Sequence, residues 1–396
     1  MKDEGGEGMS KTIIKYLEDK TVKLLENKQA LINSNQNSYV IESEMKQFID
    51  SACHPMINKR INELIRISAK LTEQKNAVQV KILRAMEEHK APDPDYEQER
   101  DFLEIQISIV DRSIEKKREY QRTFTHQVDR NLIEHPFISS TQPNEKTLEK
   151  MRDKGIIKME KTGFRKLYYQ NENGYLLVPY DSRVLIGLFK LWEVKGKSAQ
   201  FTFEFRELLH TIYADINGGE YTQIHKSLQN LATTSIIMEE YLDPESGKRT
   251  RTRIHNPITD ADIDRVNNKA TIAFNSYLHK SLIVGNVVKI SMALFNDLAS
   301  PISKTLYLLL ANKIKDNETI LDYSKLVNHL DLHSYESYKA NNLVKSSLEE
   351  LKSFDFIKNF TIIKEGRSYS KILFEPSDWV RDIDVEEHAS LSLGHL

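Results

Sequence analysis

One face of a short amphipathic segment in the middle of the chain carries amides, a hydroxyl and a cation: Thr222, Gln223, Lys226 and Gln229. The opposite face is apolar and consists of Tyr221, Ile224, Leu228 and Leu231. Glutamine can bond adenine through both groups of its amide, and threonine and lysine can contact phosphates or base edges. Two glycines just before the segment let the backbone come close to a phosphate. The pattern predicts a helix that packs on a core with one face and contacts nucleic acid with the other.

A row of basic residues follows this helix: Lys248, Arg249, Arg251 and Arg253. In a β-strand the three arginines share one face, because side chains alternate with a period of two. Three guanidinium groups in a row suit phosphates or a narrow minor groove. The alternative is a charged edge strand that prevents aggregation. We expect DNA contact, because the polar helix lies directly before this hairpin.

A second set of polar side chains lies near the end of the chain: Tyr338, Lys339, Asn341, Asn342 and Lys345. These residues alternate at helical spacing with Ala340, Val344, Leu348 and Leu351, and the hairpin after them adds Lys364, Arg367 and Lys371. We predict DNA contact here too, although an ordinary solvated face would show a similar pattern.

The same order of elements occurs twice around these residues. The first copy is predicted to have helices at 181–193, 204–213 and 218–236, and then a hairpin of 236–242 with 249–254. The second is predicted to have a strand at 287–290, helices at 301–313, 323–330 and 335–353, and then a hairpin of 356–363 with 368–374. Three helices and a hairpin are the order of a winged helix, whose third helix lies in the major groove of DNA. An Asn-Glu-Asn-Gly turn at 171–174 predicts a further hairpin before the first copy.

The first third of the chain is predicted to be helical. Apolar residues alternate by threes and fours from Ile57 to Ala85, two prolines force a turn at 91–95, and a return helix runs through Val128. We expect an antiparallel coiled-coil hairpin whose charged residues 115–118 are solvated.

The predicted fold class is therefore α+β and mainly α, with this hairpin followed by two tandem winged-helix domains. The predicted divisions are a disordered or non-native extension at 1–9, the helical region at 10–135, a linker at 136–163, winged helices at 164–275 and 276–380, and a disordered tail at 381–396.

Composition excludes several classes of protein and site. The net charge of -2 over 396 residues makes any nucleic-acid surface local, and a single cysteine excludes a disulfide framework and a multi-cysteine zinc site. No apolar run reaches the roughly 20 residues that span a bilayer, and no signal peptide is evident, so we expect a cytoplasmic protein. Asp260, Asp262 and Asp264 lack the other residues of a calcium loop and predict an acidic surface loop. We find no catalytic residues, metal ligands or cofactor motif.

Short motifs in both copies resemble those of plasmid replication initiators of the replication initiator protein A type. The resemblance covers Leu176 to Trp379 and rests on residues 180–186, on Gly219-x-Tyr221 with Leu228, Leu231 and Thr234, on Phe295-x-x-Leu298, and on Ser303-Lys304-x-Leu306-Tyr307. The helical first third does not map onto this family.

The resemblance implies a protein that binds repeated origin sites in double-stranded DNA, opens the duplex and recruits a host helicase or helicase loader. The N-terminal helices are expected to form a homodimer or a docking surface, and no membrane partner is expected. The alternatives are a winged-helix transcriptional regulator, a partition-type DNA-binding protein, or a protein-interaction module that has lost DNA binding.

Overall fold

The computed structural model describes residues 4–381, apart from residues 57–58, 60, 90, 92, 124, 135–151, 154–155, 162–166, 172–176, 215, 242, 244–245, 249–250, 334 and 367. The chain divides into two compact units, residues 1–120 and 121–396. The fold is α+β and mainly α. Among the described helices, none combines the length and the apolar character that crossing a membrane requires.

The N-terminal unit contains four helices: α1 (Glu4–Asn33), α2 (Ser38–Ala52), α3 (Ile61–Glu87) and α4 (Pro94–Gln121). Helix α1 begins at Glu4, so residues 4–9 are helical where disorder was expected. Helix α2 was not predicted; it begins where the side chain of Asn37 accepts a hydrogen bond from the backbone of Val40. The predicted apolar positions of α3 are buried: Ile61, Leu64, Leu71, Val78 and Ile82.

Helices α3 and α4 form the predicted antiparallel hairpin. The Ser68 hydroxyl donates to Asp111 (2.7 Å), and the Lys75 ammonium lies 3.7 Å from Glu104. Increasing residue numbers along α3 therefore face decreasing residue numbers along α4, which is the arrangement of an antiparallel pair. Ser68 and Lys75, which interrupt the apolar pattern of α3, thus make cross-helix contacts. Whether the pair supercoils stays a prediction.

Two expectations about α4 were wrong. Lys117 is buried rather than solvated, and the Lys116 ammonium lies 3.1 Å from the Asp50 carboxylate of α2. The unpredicted helix α2 covers this face, which is why its charges are paired. In addition, α4 ends at Gln121, so Val128 does not belong to the return helix.

Short strands occupy part of the predicted linker and of the N-terminal part of the first winged-helix region. The chain continues as β1 (His126–Asp129), α5 (Arg130–Glu134), β2 (Arg152–Asp153), β3 (Ile156–Lys161) and β4 (Leu167–Asn171). The predicted linker 136–163 therefore includes β2 and β3. The turn of the hairpin expected across 171–174 lies outside the described residues from residue 172 onward. Strand β4 pairs with β3 and with a later strand, and Pro179 begins a helix capped by a hydrogen bond from the Val178 backbone to Asp181.

The first winged helix begins with α6 (Pro179–Val194), β5 (Gln200–Glu204), α7 (Phe205–Thr211) and α8 (Gly218–Thr233). Gly187 lets α6 and α7 approach closely: a Cβ there would lie 2.3 Å from Ile212 Cγ2. Two hairpins follow, first β6 (Thr234–Tyr241) with β7 (Arg251–His255), then β8 (Ile258–Asp264) with β9 (Lys269–Phe274).

The sheets show that the predicted wing of this domain is the wrong hairpin. Strand β5 pairs with β9 in a sheet of order β5-β9-β8, whereas β6 and β7 belong to a separate sheet of order β2-β3-β4-β6-β7. The wing is therefore β8–β9, and β6–β7 is an insertion between the third helix and the wing. The expected acidic loop is strand β8 of this wing. Its apolar positions Ala261 and Ile263 are too few to reveal a strand beside three aspartates.

The second winged helix agrees closely with its prediction. After α9 (Ser276–Ile283), β10 (Val287–Ile290) and α10 (Met292–Asp297), it consists of α11 (Pro301–Lys315), β11 (Ile320–Asp322), α12 (Tyr323–His329), α13 (Ser337–Ser353), β12 (Ile357–Glu365) and β13 (Ser368–Pro376). Its sheet order is β11-β13-β12, and the short helix α14 (Asp378–Arg381) follows. The predicted tail 381–396 lies outside the described residues beyond Arg381.

Strand β1 binds the segment that joins the two winged helices, because it pairs antiparallel with β10. Asp129, at its end, is fully buried and accepts hydrogen bonds from the Ser281 hydroxyl and the Leu132 backbone. Burial raises the pKa of Asp129 to about 6. His126, at the start of the strand, lies 2.9 Å from the Thr211 carbonyl, and burial lowers its pKa to about 4.

Candidate nucleic-acid interface

An open groove separates the third helix of the first winged helix from its wing. Helix α8 begins where the Asn217 side chain accepts from the backbone of Glu220 (2.9 Å). Ile224, Leu228 and Leu231 are fully buried, as predicted, so the other face of α8 turns outward. The groove is lined by one helix face and one strand face: His225, Lys226, Gln229, Asn230, Ala232 and Thr233 on α8, and Ala261, Ile263 and Arg265 on the wing.

The four residues predicted on the polar face of α8 are all exposed: Thr222, Gln223, Lys226 and Gln229. Lys226 and Gln229 line the groove. Thr222 and Gln223 lie one turn nearer the start of the helix, and the Thr222 hydroxyl donates to the Gly218 carbonyl (3.0 Å). The structure therefore brings these side chains together on one accessible surface, which is the geometry that base and phosphate contact requires.

Buried polar contacts fix α8 against α6. The Tyr180 hydroxyl donates to Glu220 at the start of α8 (2.7 Å). Asp181 is buried, which raises the pKa of its carboxyl, although the hydrogen bond from the Val178 backbone and the nearby polar groups of Ser227 and Asn230 of α8 act in the opposite direction. Both contacts lie behind the exposed face, so the outward side chains are presented from a well-supported helix.

The turn of the wing is organised by Asp264. Its carboxylate accepts from the backbones of Val266 (2.9 Å) and Asn267 (3.0 Å) and from the Asn267 side chain (2.6 Å). These hydrogen bonds lower the pKa of Asp264. Asn268 completes the turn with a left-handed φ of 51°.

Arg265 in this turn reaches back to α8, where its Nε donates to Nε2 of His225 (2.8 Å). Burial and the neighbouring guanidinium lower the pKa of His225. Sequence analysis missed both residues, because they are far apart along the chain and no local pattern connects them.

The predicted arginine row is not part of the wing. Lys248 is exposed in the turn before β7, Arg249 lies outside the described residues, and Arg251 is in strand β7. The Arg253 guanidinium lies over the ring of Tyr277 at 4.7 Å and is half-buried. Whether these residues contact DNA stays a prediction, but they would do so from the inserted hairpin.

The second winged helix presents a similar surface on α13. Ala340, Val344, Leu348 and Leu351 are buried as predicted. Four of the predicted side chains are exposed: Tyr338, Lys339, Asn342 and Lys345.

Two other predicted residues of this domain have partners within the protein. Asn341 accepts from the Tyr323 hydroxyl of α12, so its side chain has a structural contact. Lys364 is exposed on β12, with its ammonium 5.5 Å from the centre of the Tyr369 ring. Arg367, in the turn of this hairpin, lies outside the described residues.

Metal ligands do not cluster in the part of the chain that the structure describes: no three His, Cys, Asp or Glu side chains there are placed to hold a metal ion. The described surface around α8 and α13 includes amides, hydroxyls and cations, which can bind a polyanion and read base edges.

Comparison with known proteins gives the following similarities. Residues 193–311 match the family model described as Initiator Replication protein, WH1 (Rep3_N). The match runs from the end of α6 through the groove and the joining segment into α11. No curated protein sequence matches the chain.

Three solved structures are loosely similar in fold. A structure of domain 2 and domain 3 of RctB is 10% identical and covers 63% of this chain and 98% of that chain, with a TM-score of 0.42. The Pi initiator protein in complex with iteron DNA is 17% identical and covers 50% and 89%, with a TM-score of 0.40. A second structure of RctB domains 2-3 is 14% identical and covers 63% and 98%, with a TM-score of 0.38.

The family match confirms the resemblance that the short sequence motifs indicated. It also covers α8, the wing β8–β9 and the groove between them. Residues 193–311 of this chain are thus similar to the initiator replication domain of the first winged-helix (WH1) type.

Proposed function

We propose that this chain is a sequence-specific, double-stranded DNA-binding replication initiator of a plasmid or mobile element. The observation that carries the proposal is that the initiator WH1 match covers the residues that form the α8 groove. A domain matched by sequence and a surface suited to DNA thus coincide.

The two winged helices would contact DNA through their third helices. Insertion of α8 into the major groove would bring Gln223 and Gln229 within reach of base edges, and would let Thr222 and Lys226 contact phosphates. Helix α13 would present Tyr338, Lys339, Asn342 and Lys345 in the same way. The targets we propose are repeated origin sites; the structure of the Pi initiator protein, which contains iteron DNA, is consistent with such a partner.

Further parts of the proposal concern partners. Recruitment of a host helicase or helicase loader would follow binding at the origin, and the N-terminal helices would form a homodimer. A dimer would suit half-sites spaced by about one helical turn or a multiple of it. We propose no catalytic activity for the chain, a division of the winged helices at about residue 275, and action in the cytoplasm, where the DNA is.

Footprinting on the DNA that flanks the coding region tests the proposal. An initiator should protect several similar sites in a row, and that DNA together with the protein should maintain an otherwise non-replicating plasmid. A single protected palindrome, with altered transcription and no plasmid maintenance, would instead identify a transcriptional regulator. If no site is protected, the proposal that the protein binds the DNA that flanks its coding region is contradicted.

A further inference from the structure

The groove beside α8 is lined by two cationic side chains. Arg265 and Lys226 both line the groove, and the histidine between them is His225. The facing strand contributes only Ala261 and Ile263, since the wing aspartates at 260 and 262 alternate to the opposite side of β8. Two cations therefore line one concave surface opposite apolar strand positions.

The carboxylates nearest to this surface are engaged elsewhere. Asp264 precedes Arg265 directly, but its oxygens accept the hydrogen bonds of the wing turn. Asp181 of α6 is buried on the inner side of α8, where Ser227, Asn230 and Lys226 favour its charged form. No ion pair of Arg265 occurs within the described part of the chain; its contact there is the hydrogen bond to His225.

That hydrogen bond fixes how the guanidinium is presented. Arginine has five N–H donors and no acceptor, so Nε donates to Nε2 of His225 and the two terminal amino groups keep four donors. A planar fork of this kind matches the oxygens of a phosphate. The wing turn holds the backbone of Arg265, and His225 holds its side chain.

We propose that Arg265 binds a DNA phosphate in the groove between α8 and the wing, and that His225 is a positioning residue that orients the Arg265 guanidinium. This inference rests on the proposed function, because it names one contact of the same DNA-binding surface. The phosphate contact of the first winged helix is then made by the turn between β8 and β9, and not by the inserted hairpin β6–β7.

The positioning role requires a neutral histidine, since Nε2 must accept a hydrogen bond from Nε of Arg265. In the protonated form both ring nitrogens are donors, and the ring then repels the guanidinium. The charged group that faces His225 is Arg265 from the wing, and both this guanidinium and burial disfavour the protonated ring. Acidification below the ordinary histidine pKa of about 6.5 should therefore release Arg265 and weaken this contact.

The experiment measures binding to a fluorescein-labelled duplex of mixed sequence, two helical turns long, as salt is varied. Arg265→Ala should lower affinity several-fold and reduce the slope of log affinity against log salt by about one. His225→Ala should lower affinity by less, and the double variant should match Arg265→Ala, because one contact is lost in each case. His225→Gln keeps an acceptor and should restore most of the affinity.

The pH profile separates positioning from a merely structural role. Wild-type affinity should fall on acidification, while that of His225→Gln should change much less. An increase in wild-type affinity on acidification would mean that protonated His225 itself binds phosphate, and additive effects of the two alanine variants would show that the residues act separately. Either result overturns the inference, as does an unchanged salt slope for Arg265→Ala. A wild-type protein that binds no duplex at all would instead contradict the proposed function.

Discussion

The two winged helices share an order of elements but differ in charge. Helix α13 and its hairpin β12–β13 contain seven basic and four acidic residues, whereas α8 and its wing β8–β9 contain three basic and four acidic residues. The second hairpin follows its third helix directly, while in the first an additional hairpin lies between the third helix and the wing. The first wing also carries three exposed aspartates on one strand.

This difference suggests a division of roles on DNA. Phosphate attraction is independent of sequence and grows with the number of cations that reach the backbone. The second winged helix should therefore supply most of the salt-dependent affinity. The first, with its amides on α8 and one positioned arginine, should contribute more to sequence preference than to overall affinity. The four predictions below test this comparison.

The largest effect is expected on the stability of the first winged helix. Its helices α6 and α7 meet at Gly187, whereas α11, the corresponding helix of the second, contains no glycine. Gly187→Val should destabilise the protein by about 3 kcal/mol, because the added methyl groups overlap with Ile212 and Leu208. Urea unfolding followed by tryptophan fluorescence measures this.

The chain offers a reporter and a control for that measurement. Its two tryptophans lie apart, with Trp192 buried in α6 and Trp379 in α14. Replacing Trp379 by Phe leaves a reporter in the first winged helix alone. Gly218→Ala is the matched control, since a Cβ at Gly218 meets nothing within 4 Å. Equal stability of Gly187→Val and this control would contradict the close packing described for α6.

Strand β1, which pairs with the segment between the two winged helices, carries two buried groups that should have opposite pH effects on stability, each of about 2 kcal/mol. Asp129 has a pKa of about 6 in the folded protein. It stabilises the folded state at low pH, and this contribution is lost as the pH rises through 6. His126, with a pKa of about 4, does the reverse, because its contribution is lost as pH falls from about 6.5 through 4. The contributions of Asp129 and His126 to the pH dependence of stability therefore nearly cancel in the wild type.

Asp129→Asn should expose the histidine contribution, so that stability of the variant rises with pH between about 4 and 6.5. His126→Gln should leave the opposite slope. Urea midpoints measured across this range give both slopes. Parallel profiles for the wild type and the two variants would show that neither group titrates as its burial requires.

The third prediction concerns phosphate contact by the second winged helix. Replacing both Lys339 and Lys345 by alanine should lower affinity for duplexes of any sequence by about tenfold or more and reduce the salt slope by about two. Lys352→Ala, on the same helix but bonded to Asn359, is the control and should change little. If Lys226→Ala in α8 has the larger effect, the proposed division of roles is reversed.

The smallest effect should be confined to one base pair. Gln223→Ala should cost about 1 kcal/mol of discrimination at a single position of the site and leave affinity for other sequences nearly unchanged. Competition with duplexes that differ at one position measures this. A loss shared equally by all sequences would show that Gln223 reads no base.

Much of the fold followed from local patterns. The buried faces of α8 and α13 were predictable because apolar residues recur at helical spacing, and the opposite face of each helix is polar. The second wing was predictable because it follows α13 directly and its two strands are joined by a short turn that contains Gly366. The first wing was not, because strand β8 alternates aspartates with small residues, and the β6–β7 insertion precedes it with a stronger strand pattern.

Tertiary contacts account for the remaining differences. Asn341 has the residue type of a DNA contact, yet its oxygen is occupied by the Tyr323 hydroxyl from another helix. Arg265 and His225 are joined only when the wing folds against α8. Such pairings depend on the approach of separate elements, so no periodicity within either element indicates them.

Selection of bound duplexes from a random library tests the central claim most directly, namely that the two winged helices bind DNA with sequence preference. The account predicts that one motif is enriched, that its affinity falls steeply with salt, and that Gln223→Ala relaxes a single position of the motif. Recovery of unrelated sequences with no salt dependence would contradict it.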